Sequence, residues 1–288
     1  MPTKVGIIGW PLTTTLSPAM HNAAFRALGM DWEYDAMAIP PDIVREGILE
    51  PQRHGYVGLN VTIPHKEEAM KYVTPDDVAR AVGAVNTIDL RDMTATNTDL
   101  LGFLMDLAAH GIDVSGKRVT VLGAGGAARS AVVGLCGAGA DVRVASRSLD
   151  KARMMVANLA LSNIRLSARA VDIADLAAEP TDVIVNCTPA GMLPEVDATP
   201  WPDPVPFPEQ VIVYDMIYKP ARTRLMQQAE AHGGRGVGGL GMLVHQGAAA
   251  FERWTGVTAP VDVMFEAVRA QLGLNDVNRS GNDEGARR

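Results

Sequence analysis

The chain has 288 residues, 47% of them hydrophobic and 20% charged, with a formal net charge of −7. That hydrophobic share excludes a largely disordered chain, and the length allows one large domain or two ordinary ones. The acidic balance disfavours nucleic acid as a partner, and no apolar run reaches the roughly 18 residues of a membrane-spanning helix. Cys136 and Cys187 stand apart, with no CxxC or His-rich neighbourhood, so neither a disulfide framework nor a metal site is expected. The run Val5 to Trp10 is too short for a signal-peptide core, and a reducing cytoplasm is the expected compartment.

In chain order, Val5 to Gly9 predicts a short buried strand. Met20, Ala24, Phe25 and Leu28 predict a helix over 17–28, with Ser17 as N-cap and Pro18 at the first helical position. A strand over 34–39, a helix over 41–49 and a strand over 56–63, cut short by Pro64, follow. This alternation predicts a mostly parallel sheet in an α/β fold. From Ser115 the signal strengthens. Arg118 to Leu122 predicts a strand, Gly123 to Ala128 a glycine-rich turn, and the residues through Leu135 a helix. Strands are expected over 142–145, 183–185 and 211–213, and a helix over 151–161. The segment 189–208 holds seven prolines and is expected to be mostly loop. Gly233 to Gly241 is glycine-dense and is read as a loop at a domain junction. Helices are expected over 242–254 and 261–272, and the polar tail 275–288 is expected to be disordered. A nucleotide-binding sheet that starts at Arg118 is complete by about Gly238, so the last helices need another surface. The chain is therefore expected to leave a first domain near Leu101 and return to it after Gly241.

Several short stretches carry chemistry. Gly123 to Ala128 has the G-x-G-x-x-G/A spacing between a strand and a helix, where backbone N–H groups can cradle a pyrophosphate. The next strand ends in Ser146-Arg147-Ser148 rather than in an acid, and Asp141 lies at its wrong end. Arg147 could pair with a 2′-phosphate, which favours NADP, although a solvated Arg beside a helix start is common. Thr62 and Lys66 lie at or just past a strand end, where open α/β sheets place ligands. Alone, such a Lys is ordinarily only solvated, and His65 reads as a packed or capping residue. Ala84 to Thr87 and Asn97 to Gly102 each read as turn chemistry, and Gln246 as a helix-surface residue. Trp10 fits equally a place near a ligand or a cap on the sheet.

Together these stretches resemble the shikimate dehydrogenase family. Leu16-Ser17-Pro18 with His21-Asn22, Asn60-Val61-Thr62 with Lys66, Gly83 to Thr87 and Asn97-Thr98-Asp99 with Gly102 match in order. Gly123 to Ala128, Asn186 to Pro189 with Gly191-Met192, Asp215-Met216 with Tyr218 and Pro220, and Gly239 to Leu243 with Gln246 complete the match, which runs from about Val5 to about Leu272. The resemblance implies a substrate domain over 1–101, a Rossmann-like NADP-binding domain over 102–240, and C-terminal helices over 241–274 that pack on the substrate domain. It implies reversible NADPH-dependent reduction of 3-dehydroshikimate to shikimate, in the chorismate route to aromatic amino acids, by a monomer or homodimer that takes a small-molecule substrate. Lys66 and Asp99 match the catalytic pair. Thr15, Ser17, Thr62, Asn86, Tyr218 and Gln246, with that pair, match the substrate site. Gly123, Ala124, Gly125, Gly126, Ala127, Ser146, Arg147, Ser148, Lys151, Met216 and Gly239 match the cofactor site, with no metal.

The family usually reads Ser where this chain has Thr15, and Asn where it has Ser146. Thr15 keeps the hydroxyl and adds a methyl, which leaves a quinate/shikimate dehydrogenase with relaxed substrate or cofactor choice as the alternative. A non-catalytic NADP sensor should lack Lys66 or Asp99, and both are present. Hydride addition to a ketone builds negative charge on oxygen, which a lysine ammonium can stabilise and protonate.

Overall fold

The structure, a computed structural model, describes residues 1–12, 15–161 and 166–274. The expected disordered tail lies outside the described residues.

The first sheet begins with β1 (Thr3–Gly9), α1 (Ser17–Ala27), β2 (Trp32–Ala38), α2 (Val44–Arg53) and β3 (Tyr56–Val61). β1 pairs in parallel with β2 on one side and β3 on the other, as the alternation of strand and helix requires. Its central place explains its composition, since Val5, Ile7 and Ile8 are all buried. Ser17 is not the N-cap of α1. Leu16 holds that position without a side-chain hydrogen bond, and Ser17 is already helical. The chain turns one residue early because the Ser17 N–H donates back to Thr15 Oγ1 at 3.3 Å.

After β3 come α3 (Lys66–Ala69), β4 (Thr74–Pro75), α4 (Asp77–Val82), β5 (Thr87–Asp89) and β6 (Thr94–Thr96). Here the pairing becomes mixed. β5 runs antiparallel to β3 and to β6, and β4 runs parallel to β6, giving the order β2-β1-β3-β5-β6-β4. The tight turn over Leu90–Met93 can only reverse the chain, and strands of two or three residues are too short to show an alternating pattern.

The helix α5 (Thr98–Ala109) leads to the second sheet, built from β7 (Arg118–Leu122), α6 (Gly126–Gly137), β8 (Asp141–Ala145), α7 (Leu149–Ala160), β9 (Ala168–Val171), β10 (Val183–Asn186), β11 (Ile212–Asp215), α8 (Arg224–Ala231) and β12 (Arg235–Gly238). All its pairings are parallel. The order β12-β11-β10-β7-β8-β9 is that of a doubly wound dinucleotide-binding sheet, with the chain reversing direction across the sheet beside β7. The glycine-dense junction is not all loop, because Arg235–Gly238 forms the edge strand β12. A side chain at Gly236 would place its Cβ 2.5 Å from that of Met226 on α8, so glycine there serves helix packing. The proline-rich segment carries no helix or strand. It is anchored by buried Trp201, whose Nε1 donates to the Val205 carbonyl at 3.0 Å.

The chain then returns. α9 (Leu240–Thr255) packs on α5, α1, β3 and β5, and α10 (Val261–Leu272) packs on α1 and α9. Phe251, Trp254 and Met264 join Met20, Phe25 and Tyr34 in one buried cluster against the first sheet. Trp254 Nε1 donates to the Ile88 carbonyl at 3.0 Å, fixing the far end of α9 on β5. Among the described residues no helix is long and apolar enough to cross a membrane.

Candidate active site

The C-terminal ends of β1 and β3, the first turn of α5 and the start of α9 surround a cavity of about 430 Å³ between the two sheets. Lys66 reaches it from the first position of α3, just past the Pro64 turn, and Asp99 from the first turn of α5. Lys66 Nζ donates to Asp99 Oδ2 at 2.5 Å. Their side chains are only 18% and 10% exposed, so removing one partner leaves a charge with little solvent to stabilise it. The helix start also favours the carboxylate. Asn97 caps α5 by accepting from the N–H groups of Asp99 and Leu100, while its Nδ2 donates to the Ala84 carbonyl at 3.0 Å.

Asn86 ties this pair to the sheet. Its Nδ2 donates to Asp99 Oδ1 at 2.8 Å and to Thr98 Oγ1 at 3.0 Å, and lies 3.5 Å from Gln246 Oε1. Its Oδ1 accepts from the Thr98 N–H at 2.7 Å, which fixes the orientation of the amide. Behind it, Asn60 Nδ2 donates to Thr87 Oγ1 at 3.0 Å, and Tyr34 donates its hydroxyl to Asn60 Oδ1 at 2.7 Å. Burial drives the Tyr34 pKa upward, so the phenol remains a donor. Asn22 bonds both the N–H and the carbonyl of Tyr34, and His21 stacks on the Tyr34 ring at 4.4 Å. His65 is buried and bonds the Ile39 carbonyl through Nε2 at 2.7 Å.

Thr15, Ser17, Thr62, Lys66, Asn86, Asp99, Tyr218 and Gln246 all line the cavity. Burial raises the Tyr218 pKa, which keeps that phenol protonated as well. Ala127, Met216 and Gly239 close the cavity on the side of the second sheet. Sequence reasoning placed no ligand contact on Asn60, Leu12, Met242 or Leu243, which also line it, and left Trp10 open between two places. Trp10 lines the cavity too and is 44% exposed. Asn60 sits in a motif beside Thr62, but the alternation of a buried strand gives an inward Asn no mark of its own.

The remaining residues matched to a cofactor lie outside this cavity, on the adjoining edge of the second sheet. The turn after β7 begins at Gly123, whose φ of +117° is open to glycine, and whose N–H donates to the Ala145 carbonyl at the end of β8. Ser146 and Arg147 therefore stand beside the start of α6. That helix has no side-chain cap, and a Cβ added at Gly125 or Gly126 would meet nothing within 4 Å. The exposed N–H groups and open space above them fit a pyrophosphate. Arg147 is exposed, and none of the ion pairs among the described residues uses it or Lys151. Ser148 caps α7 by accepting from the Lys151 N–H at 3.3 Å. Asp215 ends β11 and accepts from Asn186 Nδ2, the Ile217 N–H and the Thr223 hydroxyl, yet burial still pushes its pKa up to about 6. Among the described residues no group of three or more His, Cys, Asp or Glu side chains could hold a metal ion.

Comparison with known proteins follows the same division. Residues 7–88 match the model of the shikimate dehydrogenase substrate binding domain, residues 106–193 that of shikimate / quinate 5-dehydrogenase, and residues 239–269 that of the shikimate 5'-dehydrogenase C-terminal domain. The shikimate dehydrogenase (NADP(+)) of Symbiobacterium thermophilum is 45% identical over 278 residues, covering 93% of this chain and 94% of that protein. A crystal structure of a shikimate dehydrogenase in complex with NADP+ superposes with a TM-score of 0.86 at 35% identity, over 94% of this chain and 96% of that one. The shikimate 5-dehydrogenase of Thermus thermophilus, solved in complex with NADP(H) and shikimate, gives 0.83 at 34% identity, over 93% and 99%. With identity and fold both shared over nearly the whole length, this chain belongs to the shikimate dehydrogenase family.

Proposed function

We propose that the chain catalyses the reversible NADPH-dependent reduction of 3-dehydroshikimate to shikimate, the step its family supplies to chorismate and aromatic amino-acid synthesis. The observation that carries this reading is the Lys66–Asp99 pair, joined at 2.5 Å inside a cavity walled on its far side by residues of the dinucleotide-binding half. Residues 1–101 with the helices of 241–274 form the substrate domain, and 102–240 the cofactor domain. Gly123 to Ala127 would hold the pyrophosphate, and Arg147 with Ser146, Ser148 and Lys151 would receive the 2′-phosphate. Met216 and Gly239 would border the reactive end.

When bound there, NADPH supplies a hydride to the carbonyl carbon. Lys66 Nζ donates its proton to the oxygen on which negative charge develops, and Asp99 holds the ammonium in place for that transfer. At 18% exposure Lys66 can then recover a proton from solvent. Thr15 and Ser17, which line the cavity, would donate hydroxyl hydrogens to the substrate carboxylate. Thr62, Asn86, Tyr218 and Gln246 would surround the ring hydroxyls, and Asn86 is pre-oriented by Thr98 so that binding would cost little reorganisation. One chain completes the cavity, so a monomer or homodimer suffices. Both cysteines are free, in keeping with a cytoplasmic enzyme. Initial rates with shikimate and quinate, each with NADP+ and NAD+, test the reading. Shikimate with NADP+ should give the highest kcat/KM, and a higher value for quinate or for NAD+ would overturn the assignment.

A further inference from the structure

The helix that carries Met242, Leu243 and Gln246 into the cavity starts without a cap of its own. Its N-cap residue is Gly239, and no side-chain cap is present. A Cβ at Gly239 would lie 2.4 Å from the Met216 carbonyl oxygen, so no capping side chain fits there. The first-turn N–H of Met242 donates instead to Asp106 Oδ2 on α5, at 3.1 Å. Asp106 is 2% exposed. The same oxygen accepts the Tyr214 hydroxyl from β11 at 2.6 Å, while Oδ1 lies 3.5 Å from His110 Nε2. Burial and the neighbouring carboxylate raise the Tyr214 pKa, so the phenol is the donor. Gly241 completes the arrangement, because a Cβ there would fall 1.9 Å from Asp106 Oδ1. A carboxylate at a helix N-terminus is favoured by the unpaired N–H groups and the positive end of the dipole.

Three elements that bear site residues meet at this carboxylate. Asp99 lies about two turns back on the same helix. Gln246 lies one turn beyond Met242 on α9. Asp215, Met216 and Tyr218 follow directly from Tyr214 at the end of β11. We propose that Asp106 is a positioning residue, a cap supplied in trans that sets Gln246 on α9 and the Met216–Tyr218 segment against Asp99 while touching no substrate itself. Its kinetic consequence rests on the proposed reduction; its structural one does not.

The wild-type protein gives the first test. The Met242 amide, in a helical turn that ordinarily exchanges freely, should resist hydrogen exchange as strongly as amides in the middle of α9. Exchange at the unprotected rate overturns the cap. Asp106→Leu keeps a similar size but removes the single oxygen that accepts both donors, and should lower kcat per active site by roughly ten- to a hundredfold. With sites counted by NADPH fluorescence titration, its Kd for NADPH should stay within twofold of wild type. Gly241→Ala displaces the carboxylate without removing it, and should show the same split if Asp106→Leu does not fold. A folded variant of either kind with unchanged kcat per site, or with NADPH binding lost in step with turnover, overturns the positioning role. Absence of shikimate turnover in the wild type would sink the proposed reaction alone, since the exchange result stands apart from it.

Discussion

His21 sits at 0% exposure with neither ring nitrogen hydrogen-bonded, stacked on Tyr34 and enclosed by Phe25, Phe251 and Trp254. Burial pushes its pKa from 6.5 down to about 3. A histidine whose folded pKa is depressed contributes no instability well above pH 6.5. It costs stability progressively as pH falls below 6.5, until the folded form also protonates near 3. Between pH 7.5 and pH 5 that loss amounts to about 2 kcal/mol, since each tenfold change in proton-binding affinity is worth about 1.4 kcal/mol. His21→Phe keeps a ring in the stack and removes the titration. Other groups titrate in both proteins and cancel in their difference. Urea unfolding of wild type and His21→Phe at both pH values should therefore show the variant gaining about 2 kcal/mol on wild type as pH is lowered. An equal stability difference at the two pH values would refute the claim that His21 is buried neutral and unpaired.

Asp215 works in the opposite sense. Its pKa is raised to about 6, so its carboxylate costs stability as pH rises from 3.8 through 6, and Asp215→Asn should gain about 1 kcal/mol on wild type between pH 5 and pH 7.5 in the same unfolding assay. Arg147→Ala should lower kcat/KM for NADP+ roughly tenfold, the scale of one charge-assisted contact at an exposed site, while NAD+ use stays within twofold. Thr15→Ser should keep shikimate turnover, whereas Thr15→Val should cost roughly ten- to a hundredfold in kcat/KM. If Thr15→Val lowers only the melting temperature, the hydroxyl serves the Ser17 turn alone.

What the sequence revealed depended on how local the physics is. The turn from Gly123 to Ala128 is legible because phosphate-binding backbone geometry demands small residues directly between a strand and a helix. Four strands of the second sheet, β7, β8, β10 and β11, follow from their apolar runs, whereas β9, half-buried along its length, has no such run and is not expected from the sequence. Lys66 and Asp99, by contrast, lie 33 residues apart, and no spacing rule joins them. Only the ordered set of family motifs suggested the pairing. Asn60 and Tyr34 meet across two strands, so neither carries a local mark of that contact. The edge strand β12 was hidden by its glycines, of which Gly236 suits Met226 packing rather than a turn, and Ser17 lost its capping position as its N–H donates back to the Thr15 hydroxyl. Gly241 reads as part of a junction loop, whereas the space beside it is taken by the Asp106 carboxylate.

The most direct measurement is the oxidation of shikimate with NADP+ by wild type and by Lys66→Ala, read at saturating concentrations of both and paired with equilibrium binding of shikimate. Wild type should turn over. Lys66→Ala should keep its fold and most of its shikimate affinity, while kcat falls by roughly 10²–10⁴-fold, the range of a general acid–base group. A folded Lys66→Ala protein with undiminished kcat would contradict the role of the Lys66–Asp99 pair.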